Sequence, residues 1–147
     1  MDGIMLPVTL MAAGGSAIIA FWLALRTGAA RRAAGVSIGD GGDMKLIARM
    51  RAHANFTEYT PFILILIALI ELANGTSLWL WIAGALLLIA RIAHALGMDG
   101  VRGGRTFGTA ATFLLLVGLA LYAVAIPLLA SHHTPRTIEL TTVPAQG

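Results

Sequence analysis

Four long apolar stretches divide the chain, running from about Met5 to Leu25, Ala54 to Ala73, Leu78 to Leu96 and Thr106 to Ala130. None shows the strict apolar/polar alternation of a half-buried strand. Each reaches or approaches the ~20 residues that a helix needs to cross a bilayer. Backbone amides inside hydrocarbon are satisfied only by helices or closed barrels. The pattern therefore predicts an all-α fold, an integral membrane four-helix bundle over residues 1–130. A polar tail follows over residues 131–147, with Pro135 and Pro144. The second helix continues back to about Met44 as an amphipathic stretch, and Asp43 stands where an N-cap belongs.

Composition agrees with a lipid solvent. The 147 residues are 58% hydrophobic and 12% charged, with a mean hydropathy of +0.84, whereas a soluble domain carries about 25% charged residues. The first stretch is not a cleaved signal, because Asp2 precedes it and its positive charges, Arg26, Arg31 and Arg32, follow it. The formal net charge of +3 reads as membrane-surface asymmetry and not as nucleic-acid binding. Arg26, Arg31, Arg32 and Lys45 fall in the first loop, Arg102 and Arg105 in the third, and none in the second, Asn74 to Ser77. Loops one and three are thus expected in the cytoplasm, with both termini outside. Trp22 fits the inner aromatic belt, and Trp79 and Trp81 the outer one.

The chain has no cysteine, which excludes disulfides, thiolate metal sites and a cysteine nucleophile. Any thiol chemistry needs a thiol that arrives with a ligand. No metal site is expected. Of the histidines, His53, His94, His132 and His133, only the last two are adjacent, and they lie in the tail.

The most informative polar positions open the second helix. Arg51, Asn55 and Glu58 follow i, i+4, i+7 spacing and so share one helical face. If the helix leaves the hydrocarbon near Ala73, about 20 residues back at ~1.5 Å each reach Ala54. Glu58 then lies inside the apolar boundary and Arg51 at it. An ionisable residue at such depth costs roughly 2.5–3.5 kcal/mol on insertion scales, so this face is expected to look into protein. Arg91, His94 and Met98 approach the same end of the third helix, followed by Arg102 and Arg105. With Arg31 they surround a single carboxylate expected to be buried, Glu58, which suits an anionic ligand. Spacing alone leaves an alternative open: Arg51 and Glu58 as a structural ion pair. Glu71 reads as an interface residue at the other end of the helix. Gly14-Gly15-Ser16 and Gly108-Thr109-Ala110 are small-residue patches that let helices approach closely. Pro127 marks a kink or stop. Gly39-Asp40-Gly41-Gly42 follows no strand and lacks a Lys-Ser/Thr ending, so it reads as a turn and not a phosphate loop.

Arg51-x-x-x-Asn55-x-x-Glu58-Tyr59-x-Pro61 resembles the helix-two signature of the MAPEG superfamily, the membrane-associated proteins in eicosanoid and glutathione metabolism. Ala30-Arg31-Arg32-Ala33 and Ala90-Arg91-Ile92-Ala93-His94 resemble helix-one and helix-three segments of members. Glu71-x-x-Asn74-Gly75 and the Gly39–Gly42 stretch look like the short bacterial branch, which implies a bacterial inner membrane. The resemblance implies a homotrimer with glutathione bound between subunits as the thiol co-substrate. Arg31, Arg51, Asn55, Glu58, Tyr59, Arg91 and His94 would contact the tripeptide. Arg105 would be catalytic, stabilising the thiolate, with Arg102 as its competitor across a glycine-rich stretch. His94 and Met98 stand where some members have tyrosines, and Met98 offers no hydroxyl.

Two functions follow. One is a membrane-bound glutathione-dependent transferase or peroxidase acting on lipophilic electrophiles or hydroperoxides that enter from the lipid. The other is a non-catalytic membrane protein whose polar cluster binds an anionic lipid or metabolite or holds the oligomer together. A transporter is disfavoured, because its polar groups are expected near the midplane and here they gather at one end.

Overall fold

The computed structural model describes residues 5–130. They form four α-helices, α1 (Pro7–Ala34), α2 (Met44–Asn74), α3 (Leu78–Met98) and α4 (Gly104–Ala130), and no strand. All four are long and apolar enough to cross a membrane. Large apolar side chains such as Phe21, Ile65, Ile89 and Leu121 are exposed on all of them. A protein with that outer surface is solvated by lipid, and the chain is an integral membrane protein. The tail expected from Ser131, with His132 and His133, lies outside the described residues, as does Asp2.

Helix α1 outlasts its apolar stretch. The segment Ala29 to Ala34 is alanine and arginine only, and both residues are strong helix formers. The helix stops where Gly35 adopts φ 67°, and the Gly35 and Val36 amides donate to the Arg32 and Arg31 carbonyls. A residue with a β-carbon is strained in that left-handed conformation, so glycine sets the end. The first loop is therefore 35–43, shorter than the loop expected from about Arg26. Asp43 is the N-cap of α2, its carboxylate accepting from the Leu46 amide at 2.7 Å. Pro127 does not stop α4, which runs on to Ala130.

Helices α2 and α3 touch each other and both neighbours, whereas α1 and α4 do not meet. One apolar core joins Val8, Ile63, Ile67, Leu80, Leu87 and Leu115, and a second joins Ile19, Leu23, Phe56 and Ala95. In lipid, burying such side chains gains little hydrophobic energy, so association rests on close packing and polar contacts. The α3–α4 pair shows the packing. A β-carbon on Gly108 would stand 2.6 Å from the Ala90 carbonyl oxygen, and one on Gly104 would stand 2.6 Å from that of Ala93. Only glycine admits this approach. Gly97 faces the backbone of Arg105 in the same way.

Both ends of the bundle carry polar locks. At one end Asp99 pairs with Arg26 and, at 3.4 Å, with Arg49. Arg49 also donates to the Arg26 carbonyl at 3.0 Å, and Arg26 lies over the Trp22 ring. At the other end Glu71 departs from the expected interface position. It is 2% exposed. Its carboxylate accepts from the Val8 and Thr9 amides at 3.0 and 2.9 Å and from the Thr9 and Thr76 hydroxyls at 2.7 and 2.8 Å. The N-cap of α1, Leu6, has no side chain able to accept, so a carboxylate from α2 satisfies the orphan amides at the positive helix end.

Candidate functional site

The end of the bundle formed by the C-termini of α1 and α3 and the N-termini of α2 and α4 gathers most of the cations. Arg91 is its innermost member and is 2% exposed. One guanidinium nitrogen donates to Asn55 Oδ1 at 2.8 Å. The other donates to the Gly108 carbonyl at 3.1 Å and to the Thr112 hydroxyl. The Thr112 hydroxyl donates in turn to the Gly108 carbonyl at 2.6 Å. Arg91 thus ties α3 to α2 and α4. The close approach at Gly108 makes this possible, since it brings the α4 backbone within reach of the side chain. All three acceptors are neutral. Among the described residues no carboxylate meets Arg91, and its Nε has no partner. A buried cation without a counter-charge leaves the site electropositive.

Asn55 is half-buried beside it, and one turn to either side on α2 stand Arg51 and Glu58, both exposed. The expectation that this face turns into protein therefore holds, within one chain, for Asn55 only. Arg51 and Glu58 do not pair with each other, and neither has a hydrogen bond or ion pair among the described residues. The face continues along α2 as an exposed apolar stripe, Phe62, Ile65, Leu69 and Leu72. Together the positions 51, 55, 58, 62, 65, 69 and 72 step by four and three residues, the spacing of a helix seam.

The remaining candidates surround this face at different distances. Tyr59 is half-buried and meets Phe113 of α4 edge to face, with ring centroids 5.4 Å apart. His94 is buried one turn from Arg91 and packs against Gly108. Arg31 donates to the Gly39 carbonyl at 2.7 Å and lies 3.6 Å from the sulfur of Met50, the neighbour of Arg51. Arg105 is exposed at the start of α4 and lines a shallow cavity of about 430 Å³ with Thr106, Thr109 and Ala110. It makes no bond to the other candidates. Its backbone is fixed against Gly97, whereas Arg102 sits exposed in the connecting turn. Met98 packs on the second core.

Three contributors were not singled out in the sequence. Thr112 carries a hydrogen bond of Arg91, and its signal is a small polar residue one turn beyond Gly108 on an apolar helix. Arg49 and Asp99 lock the rim, and no periodicity relates them. No group of three or more metal-binding side chains occurs among the described residues.

Across known proteins, the model of the MAPEG family matches residues 9–125, which covers α2 and α3 whole and most of α1 and α4. No curated protein matches the chain.

Proposed function

The chain belongs to the MAPEG family, and on that footing we propose that it is a membrane-bound glutathione-dependent transferase or peroxidase acting on lipophilic substrates. The observation that carries the proposal is the pair Arg51 and Glu58, outward on a membrane-spanning helix and without a partner among the described residues. Neither charge belongs against acyl chains, so something polar covers them. A second copy of the chain along the four-three stripe of α2, with a ligand between copies, accounts for both the charged and the apolar half of that stripe. We take the assembly to be a homotrimer.

The residues suit glutathione, which carries two carboxylates, an ammonium and a thiol. Arg31 and Arg51 match the carboxylates in charge and fork geometry. Glu58 matches the ammonium. Asn55, Tyr59 and His94 complete the binding set, with Arg91 behind Asn55 and serving the site through it. Arg105, on a helix turn fixed by Gly97, stabilises the thiolate, since a cation near sulfur lowers the thiol pKa. In transfer, the thiolate sulfur bonds to an electrophilic carbon of the substrate and the leaving group departs with its electron pair. In the peroxidase reaction, two glutathione thiols become one disulfide while a hydroperoxide becomes an alcohol and water. Held in position, the thiolate gains mainly from proximity and preorganised charge. The cation-rich end faces the cytoplasm of a bacterial inner membrane, and both chain termini lie outside.

The competing reading is a non-catalytic protein in which the cluster binds an anionic lipid or metabolite or holds the oligomer. The closed Arg91–Asn55–Thr112 network favours it, because those bonds already unite three helices. Conjugation of a generic aromatic electrophile by purified protein separates the two. Turnover in the wild type and at least a tenfold loss in Arg51→Ala, Arg105→Ala is expected, an order of magnitude in line with losing charged contacts. Equal rates in the two proteins overturn the catalytic reading.

A further inference from the structure

The site contains an amide whose orientation is fixed by chemistry. Arginine has donors only, so the Asn55 atom that faces Arg91 has to be the oxygen. The Asn55 NH2 group therefore points away from Arg91. It has no acceptor among the described residues and is not among the sealed, unpartnered atoms of the structure, so it is open to a ligand. Arg51 lies one turn below and Glu58 one turn above. The guanidinium is itself held from the far side by Thr112 and the Gly108 carbonyl. Rotation of the amide would turn two donors on a donor-only cation, and the bracket on α4 keeps that cation from moving aside.

We propose that Arg91, held by Thr112, is a positioning residue that acts through Asn55: it locks the amide so that Asn55 presents only donors to a carboxylate of glutathione. This rests on the glutathione reading above and adds to it. Arg91 need not reach the ligand. Its charge, which no carboxylate in the described chain neutralises, polarises the amide and makes the outward NH2 a better donor. The anion then benefits from a buried cation that is shielded from lipid and water. Such a relay discriminates for acceptors: a ligand with a donor-only group such as an ammonium at this point meets the wrong polarity.

Asn55→Asp separates this role from a structural one. Aspartate keeps an oxygen toward Arg91 and supplies the missing counter-charge, so the variant is expected to melt in detergent at or above the wild-type temperature. Its outer oxygen offers an acceptor where the ligand needs a donor, so glutathione affinity measured by calorimetry is expected to fall roughly tenfold to a hundredfold. Thr112→Val removes one support of the guanidinium, and affinity is expected to fall severalfold, with Thr112→Ser restoring it. Wild-type affinity in Asn55→Asp, or a valine variant that binds as tightly as the serine variant, overturns the inference while leaving the glutathione reading intact. If the wild type binds no glutathione, the functional reading falls and takes this inference with it.

Discussion

Helix α2 carries two glutamates with opposite surroundings. Glu71 is buried, and its carboxylate accepts four hydrogen bonds, two from amides of α1 and two from hydroxyls. Glu58 is exposed and has no partner among the described residues. Both are costly groups in a spanning helix. For Glu71 the cost is met within the chain, by donors that would themselves be orphans at the start of α1. For Glu58 nothing among the described residues meets it. A carboxylate with a full set of donors accounts for itself as structure, and one without a set points to a partner that the single chain does not supply. The same contrast separates Asp99, paired with Arg26 and Arg49, from Arg51, which has no partner among the described residues.

Stability measurements can break this contrast. The largest effect is expected for Glu71→Ala, which strands the Val8 and Thr9 amides at the start of α1 and leaves the Thr9 and Thr76 hydroxyls without their acceptor. Charge-assisted hydrogen bonds of this kind are each worth about 1.5–3 kcal/mol, so a loss of about 3 kcal/mol or more is expected in thermal or denaturant unfolding in detergent. Glutathione binding by the fraction that stays folded is expected to be unchanged, since the site lies at the other end of the bundle. A melting point equal to the wild type would mean that the carboxylate does not cap α1.

A smaller loss is expected for Asp99→Asn. The aspartate joins α3 to α1 and α2 through two arginines, but at an exposed rim where water and salt compete. Such pairs contribute at most about 1 kcal/mol, and the difference from the wild type should shrink as ionic strength rises. This variant tests whether partner satisfaction or mere position at the cation-rich end decides function. If the contrast holds, Asp99→Asn retains glutathione affinity despite its position there.

How much of this could be read in the sequence follows the same division. The four helices were visible because apolar length and periodicity are local properties, and so was the Asp43 cap, three residues from its donor Leu46. The full length of α1 was not, because its last turns are helical by propensity and not by hydrophobicity. The pairings across the bundle were also hidden. Glu71 meets Val8 only because α1 begins where α2 ends. Arg91 meets Thr112 only because Gly108 lets two backbones close. Spacing did place Arg51, Asn55 and Glu58 on one face, yet it left open which way that face turned. In one chain it turns outward, since the cores of α2 occupy the faces of Phe56, Ile63 and Ile67.

The smallest effect on the chain's own stability, and the sharpest test of the contrast, is expected for Glu58→Gln. The side chain keeps its size and loses a charge that contacts nothing in the described chain. Unfolding of the monomer is therefore expected to move by less than about 0.5 kcal/mol, as for a surface substitution free of special contacts. If Glu58 receives the ammonium of glutathione, affinity should fall roughly tenfold or more, the scale of a lost charge-assisted bond. Glutathione lacking that ammonium, as its N-acetyl derivative, should bind both proteins alike. If instead Glu58 meets a neighbouring subunit, the substitution should lower the oligomer's dissociation temperature and treat the two ligands equally. The two glutamates of α2 would then differ only in which helix end or subunit they lock. A variant that changes neither binding nor assembly would leave the exposed carboxylate without a role and remove the main support for a site on this face.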